Sequence, residues 1–126
     1  MGQARPIRSL ALVIEADRDQ RALIATLLEE TEMQVIECDS AEAALAVLQM
    51  KSDRVAMVFT DVALAGRLDG VELAQILKRK FPDVPVVVTS GNPSDPERLP
   101  DTAIYMAQPW RPLDVLIVAE RARRAA

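Results

Sequence analysis

The chain of 126 residues contains no histidine and a single cysteine, Cys38. The missing histidine excludes His-based metal sites, Ser-His-Asp triads and histidine acid/base chemistry, and one cysteine cannot form an internal disulfide. No apolar run approaches the roughly 18 residues of a membrane span. The absence of such a run gives no reason to expect a membrane partner, and the net charge of -4 gives no basic field, so nucleic acid is not an expected partner either. Any chemistry must therefore use carboxylates, hydroxyls, amides and bound ions.

The remaining composition is that of one globular domain. Hydrophobic residues make up 50% and charged residues 27% of the chain, which fits neither a disordered segment nor a membrane protein. We therefore expect a single domain over residues 1–126. The N-terminal segment MGQARPIRSL lacks the apolar core of a secretory signal, so a cytoplasmic location is expected.

Short apolar segments alternate with amphipathic segments along the chain. Buried strands are predicted where brief apolar runs end in polar residues, at residues 10–14, 33–38, 54–60, 84–90 and 103–107. Helices are predicted after the first, second, third and fifth strands from apolar residues at helical spacing. Between the fourth and fifth strands, Pro93, Pro96 and Pro100 limit any helix to about one turn. The alternation predicts an α/β domain with a parallel, doubly wound sheet.

The last predicted helix, residues 113–124, has more apolar residues than one buried face needs. Leu113, Leu116 and Ile117 form one stripe, which leaves Val115 and Val118 on an adjoining face. A homodimer or a partner surface at this helix, the fifth of the predicted fold, would explain the second stripe.

Polar side chains follow the predicted strands at the points where they end. The first strand is followed by Glu15 and Asp17, the third by Asp61, and the fifth by Gln108, while the fourth ends in Thr89 and its neighbour. In such sheets ligands bind beyond the carboxyl ends of the strands. Carboxylates from two strands can hold a hard divalent cation such as Mg²⁺, and a hydroxyl can bind a phosphoryl oxygen. We therefore expect these groups to converge at one edge of the sheet.

With these segments in this order and spacing, the sequence resembles a response-regulator receiver domain of two-component signalling. The resemblance covers about residues 8–123 and rests on LVIEADRDQRALIATLLEE, VFTDVALAGRLDGVELA, VPVVVTSG and YMAQPWRPLDVL. It implies a flavodoxin-like fold with strand order 2-1-3-4-5 and a short or irregular helix four. It also implies a phosphoacceptor signalling domain and not an enzyme, apart from self-catalysed phosphotransfer. Because no effector sequence follows the last helix, we expect a stand-alone receiver.

The resemblance also implies roles for individual residues. Asp61 would accept a phosphoryl group from a histidine kinase or a phosphotransfer protein. Mg²⁺ would be held by Glu15, Asp61 and the backbone carbonyl of Ala63. Thr89 would contact the phosphoryl group, and Tyr105 falls at the aromatic switch position whose rotamer follows Thr89. The signal would then pass to an unknown downstream protein by a conformational change.

The sequence departs from the family pattern at two positions of the same site. Ala16 stands where the family has a second acidic metal ligand, so Mg²⁺ binding should be weakened, although Asp17 could contribute from the turn. Gln108 replaces the usual lysine, and an amide can donate a hydrogen bond but cannot neutralise phosphoryl charge. The alternative hypothesis is therefore a pseudo-receiver, which binds a protein partner as an adaptor without being phosphorylated.

Simpler interpretations of the same residues stay open from the sequence. Asp61 could cap the loop after its strand, and Glu15 could be a solvated residue at a helix entry. Asp17 could simply cap the first helix. Pro109 could follow a trans peptide bond, the default for any proline, instead of the cis bond that the family implies.

Overall fold

The computed structural model describes residues 7–126. Its helices and strands are β1 (Leu10–Ile14), α1 (Arg18–Glu29), β2 (Gln34–Cys38), α2 (Ala41–Lys51), β3 (Val55–Asp61), α3 (Gly70–Lys80), β4 (Val86–Ser90), β5 (Ala103–Ala107) and α4 (Pro112–Ala125). The first six residues, and with them most of the segment read as lacking a secretory signal, lie outside the described part. Within residues 7–126, none of the helices combines the length and apolar character needed to cross a bilayer.

The strands form one parallel sheet in the order β2-β1-β3-β4-β5, so the predicted flavodoxin-like, doubly wound fold is confirmed. Strand β1 pairs with β2 through Ile14 and Cys38, and with β3 through Ile14 and Thr60. Every residue of β1 and β4 is buried, because helices cover both faces of the sheet. Since the strands are parallel, their carboxyl ends share one edge.

Two apolar layers fix the helices against the sheet. Leu12 of β1 and Val58 of β3 face α2 and α3, whereas Val13 and Phe59 face α1 and α4. Trp110, just before α4, meets Phe59 edge to face with the ring centroids 6.4 Å apart. This contact holds the β5–α4 connection beside the edge where β3 ends.

The segment between β4 and β5 contains only a short 3-10 helix, Asp95–Arg98, so the expected short or irregular helix four is confirmed. Pro96 lies inside this turn and Pro100 follows it. Both residues lack the backbone N–H that a longer helix would need.

Helix α4 buries a different face from the predicted one. Val115 and Ala119 are fully buried, whereas Leu113 and Ile117 are 56% and 42% exposed. The prediction of a buried stripe of Leu113, Leu116 and Ile117, with Val115 outside it, is therefore wrong for Leu113, Ile117 and Val115, whereas Leu116 is partly buried against the core. The small side chains of Val115 and Ala119 allow α4 to pack closely against the sheet, and the longer ones are left at the surface.

Candidate functional site

The common edge of the strands carries a pocket of ≈ 510 Å³. The ends of β1, β3 and β4 and the β5–α4 connection form it, as expected for the carboxyl edge of a parallel sheet. Its lining residues are Glu15, Gln20, Leu23, Ile24, Asp61, Thr89, Gln108, Pro109, Trp110 and Pro112. The structure thus brings together four residues that the sequence singled out, from four different places in the chain.

Asp61 is the last residue of β3 and is half-buried in this pocket. Its Oδ1 accepts hydrogen bonds from the Ala63 N–H at 3.3 Å and from Gln108 Nε2 at 3.5 Å. Behind it, Gly70 approaches so closely that a Cβ at this position would collide with the Asp61 carbonyl oxygen. The backbone of Asp61 therefore packs closely against the start of α3, while the Asp61 carboxylate faces the pocket and can accept further hydrogen bonds.

Glu15 follows β1 directly, and its side chain lies beside that of Asp61. The Glu15 Oε2 accepts a hydrogen bond from the Ala16 N–H at 3.0 Å. Burial raises the pKa of Glu15 to about 7, and the negative charge of Asp61 adds to the shift. Two carboxylates placed this close together favour a proton or a metal ion in the space between them. A cation is therefore one group that this arrangement could bind.

The hydroxyl of Thr89 is buried and has no hydrogen-bond partner among the described residues. Thr89 pairs in register with Asp61 across β3 and β4, so the two residues are neighbours at the strand ends. An unsatisfied buried hydroxyl costs roughly 1–3 kcal/mol, and native structures rarely leave one without a reason. A polar atom of a ligand, placed between Thr89 and Asp61, would satisfy it.

Gln108 and Tyr105 belong to the last strand and its exit. The Gln108 N–H donates to the Ser90 carbonyl at 2.9 Å, and the peptide bond from Gln108 to Pro109 is cis, the isomer that the family implies. The Tyr105 hydroxyl also donates to the Ser90 carbonyl, at 3.0 Å, and this side chain lies outside the pocket lining. Gln108 therefore offers the pocket a neutral donor, while Tyr105 is linked to it through the end of β4.

Asp17 is not directed at the carboxylate pair. Its Oδ1 accepts the Gln20 N–H at 2.9 Å, which caps the N-terminus of α1. Over residues 7–126, no three acidic or cysteine side chains gather into a cluster that could hold a metal. The available carboxylates are thus those of Glu15 and Asp61, a set that fits Mg²⁺, which often takes one or two carboxylates and keeps several waters.

The sequence did not single out several residues that line the pocket. Leu23 and Ile24 of α1 form an apolar side, together with Pro112 at the start of α4. Gln20 adds an amide, and its position three residues after the Asp17 cap would have placed it in the first turn of α1, at the same edge. Leu23 carried no such signal, because its place in an apolar helical stripe suggests the core, yet it is 47% exposed.

Comparison with known protein families and curated sequences agrees with this geometry. The family model described as "Response regulator receiver domain" matches residues 11–103. The chain is 38% identical over 82 residues to the nitrogen assimilation regulatory protein NtrX of Azorhizobium caulinodans, which is 64% of this chain and 18% of that relative. A putative NtrX-like response regulator of Rickettsia bellii is 28% identical over 82 residues, or 17% of its length. The chain thus matches only a small part of these relatives.

Solved structures lead to the same family. The crystal structure of the receiver domain of NtrX from Brucella abortus superposes with a TM-score of 0.77 at 29% identity, covering 92% of this chain and 99% of that one. A response regulator receiver domain protein from Clostridium thermocellum has a TM-score of 0.83 at 21% identity, over 93% of this chain and 95% of its own, and shows the fold alone.

Proposed function

Because the chain belongs to the response regulator receiver domain family, we propose that its pocket takes up a phosphoryl group on Asp61. The family makes it a signalling domain of two-component systems. The observation that carries the proposal is the shared pocket, in which Asp61 lies with Glu15 and with the Thr89 hydroxyl, which has no hydrogen-bond partner within residues 7–126.

In the proposed reaction a carboxylate oxygen of Asp61 attacks the phosphorus of a phosphohistidine on a histidine kinase or a phosphotransfer protein. A P–O bond forms, the P–N bond breaks, and the leaving imidazole nitrogen keeps the electron pair and takes a proton. Glu15, Asp61 and the Ala63 carbonyl would hold Mg²⁺, and Asp17 as a further ligand stays a prediction. Bound Mg²⁺ would neutralise charge on the phosphoryl oxygens.

The remaining polar groups would act on the product. The Thr89 hydroxyl would donate to a phosphoryl oxygen and thereby gain the partner that it lacks. Gln108 would donate one hydrogen bond without a positive charge, so the phosphoryl group would be less neutralised than beside an ammonium. The Tyr105 hydroxyl is hydrogen-bonded to the carbonyl of Ser90, the residue after Thr89. A movement of Thr89 would therefore be transmitted to Tyr105. The altered surface would then bind a separate downstream protein in the cytoplasm.

Intact-mass analysis tests this function. The wild-type chain is incubated with acetyl phosphate and Mg²⁺, beside Asp61→Asn and the control Asp83→Asn, which changes an exposed aspartate in the α3–β4 turn. We expect one phosphoryl group on the wild type and on the control, and none on Asp61→Asn. No mass gain on the wild type, with either acetyl phosphate or a cognate kinase, would contradict the proposal.

A second candidate is the adaptor that binds its partner without phosphorylation. It is favoured by Ala16, which leaves the pocket with two carboxylates, and by Gln108, which leaves it without a cation. An adaptor would bind its partner equally well as wild type and as Asp61→Asn, and a large loss of binding in the variant would argue against it.

Two predictions about organisation are kept with the proposal. A homodimer through α4 would now use Leu113 and Ile117, which are the exposed large hydrophobic residues of this helix. The stand-alone state also stays a prediction, since the curated relatives are much longer than the segment they share with this chain.

A further inference from the structure

The loop after Asp61, residues 62–69, is held by its backbone at both ends. The Val62 N–H donates to the Thr89 carbonyl at 3.0 Å, and the Gly70 N–H donates back to the Val62 carbonyl at 2.9 Å. These bonds fix where the loop leaves β3 and where it enters α3. The path between them must be set by other contacts.

Those contacts come from the start of α2. Ser40, the N-cap of α2, forms an isolated parallel bridge with Ala65. Glu42, in the first turn of α2, accepts the Leu68 N–H on its Oε1 at 3.0 Å. Among the described residues, two side chains from outside the loop hydrogen-bond to the backbone of residues 62–68: Asp61, which accepts the Ala63 N–H, and Glu42, which accepts the Leu68 N–H.

The carboxylate of Glu42 also fits against Gly66. Gly66 has φ +96°, in the left-handed region that favours glycine, and a Cβ there would collide with Glu42 Oε2. No Lys or Arg of the described residues pairs with Glu42. Its carboxylate is therefore committed to the loop and to the N-terminus of its own helix, where negative charge is favourable.

We propose that Glu42 is a positioning residue for the Asp61 site, because it holds the loop in the conformation that keeps Ala63 beside Asp61. Ala63 lies in this loop and already contacts Asp61 Oδ1 through its N–H. Glu42 itself does not line the pocket. The inference rests on the proposed function, in which the Ala63 carbonyl binds the cation, and it adds a residue on α2 that controls this ligand.

The test measures cation binding and loop opening in the same variants. Mn²⁺ serves as the probe because it also prefers carboxylate and carbonyl oxygens, and free Mn²⁺ is counted by electron paramagnetic resonance. Hydrogen exchange of the Leu68 amide reports whether the bond to Glu42 is present. The variants are Glu42→Ala, which removes the acceptor, and Glu42→Gln, which keeps it without charge. Glu29→Ala is the control, since it removes an exposed carboxylate at the end of α1.

We expect Glu42→Ala to weaken Mn²⁺ binding about fivefold, less than the roughly 10- to 100-fold of outer-shell partners in enclosed metal sites, because Glu42 is exposed. Leu68 exchange should become faster in the same variant. Glu42→Gln should stay close to the wild type, as should Glu29→Ala. Equal weakening in Glu42→Ala and Glu42→Gln would mean that only charge matters, and this would overturn the proposal.

Gly66→Ala gives an independent check, since its new Cβ must push the Glu42 carboxylate away from Leu68. We expect it to weaken Mn²⁺ binding in the wild type. Because alanine is also strained at φ +96° without Glu42, part of the weakening of Mn²⁺ binding should persist in a Glu42→Ala background. The combined effect should stay below the sum of the two single effects, a non-additivity that identifies the shared contact. If the wild type binds no Mn²⁺, the proposed cation site fails. The positioning role is then decided by Leu68 exchange, and unchanged exchange in Glu42→Ala would overturn it.

Discussion

The pocket and the β4–β5 segment, residues 91–102, lie at the same edge of the sheet but treat their carboxylates in opposite ways. In the segment, buried Asp95 accepts the Ser90 hydroxyl and, at 3.2 Å, the guanidinium of Arg98. In the pocket, Glu15 and Asp61 face each other, and no Lys or Arg of the described residues pairs with either. The charge of Asp95 is thus compensated by a cationic side chain, whereas those of Glu15 and Asp61 are not.

This difference separates a carboxylate that stabilises a loop from two carboxylates that have no cationic partner among the described residues. The chain compensates a buried carboxylate where it must hold the loop: Arg98 also reaches Asp69 at 3.2 Å, and Asp69 caps α3. An uncompensated pair in the same fold is therefore not forced by the topology. Local conflicts of this kind concentrate at binding sites, where a ligand resolves them.

The largest expected effect on stability comes from removing the carboxylate of Asp95, which has hydrogen-bond and ion-pair partners in the β4–β5 segment. Asp95→Ala removes the acceptor of the buried Ser90 hydroxyl and should lower the free energy of unfolding by about 2 kcal/mol. Asp95→Asn keeps an acceptor and should lose about half as much. Urea denaturation measures both. A change in Asp95→Ala no larger than that in Asp83→Asn would show that the network does not stabilise the segment.

The next effect is the dependence of stability and of Mg²⁺ affinity on pH, which follows from the protonation of Glu15. With its pKa raised from 4.5 to about 7, Glu15 holds a proton in the folded state that it loses when unfolded. The stability of the metal-free protein should therefore fall as pH rises from 4.5 towards 7. A cation binds the ionised form, so Mg²⁺ affinity should rise roughly tenfold between about pH 6 and 8. Fluorescence of Trp110, which lines the pocket, can follow the titration. If neither the stability nor the Mg²⁺ affinity changed over these pH ranges, the prediction would be disproved.

The smallest effect is a gain in stability. Asp61→Asn removes one of the two facing charges and should raise the free energy of unfolding at pH 8 by about 1 kcal/mol, at the expense of function. The gain should shrink at pH 5, where Glu15 is protonated in the wild type. Urea denaturation at the two pH values measures it. A loss of stability at pH 8 would mean that the Asp61 carboxylate stabilises the fold, as that of Asp95 is expected to do.

The sheet and the position of the pocket were predictable because both depend on short-range patterns. Apolar runs ending in Glu15, Asp61 and Thr89 mark buried strands, and parallel strands necessarily bring their carboxyl ends to one edge. The family resemblance added the strand order. The three prolines before β5 were enough to exclude a full helix there.

The contacts that could not be predicted from the sequence depend on how side chains pack in the folded domain. On α4, two sets of apolar residues have helical spacing: Leu113, Leu116 and Ile117 form one, and Val115 and Ala119 form the other. The close approach of α4 to the sheet selects the second set, because its side chains are small. The pairing of Asp95 with Arg98 depends on the path of an irregular segment. No helical or strand period encodes that path.

The strand order determines when the pocket can form during folding. Glu15 and Asp61 stand at the ends of β1 and β3, which are distant in the chain and adjacent in the sheet, and Thr89 joins them only when β4 pairs with β3. A nascent or partly unfolded chain therefore carries all three residues and no pocket. The pocket forms only when these strands have paired in the sheet, so any ligand that binds the pocket stabilises fully folded molecules.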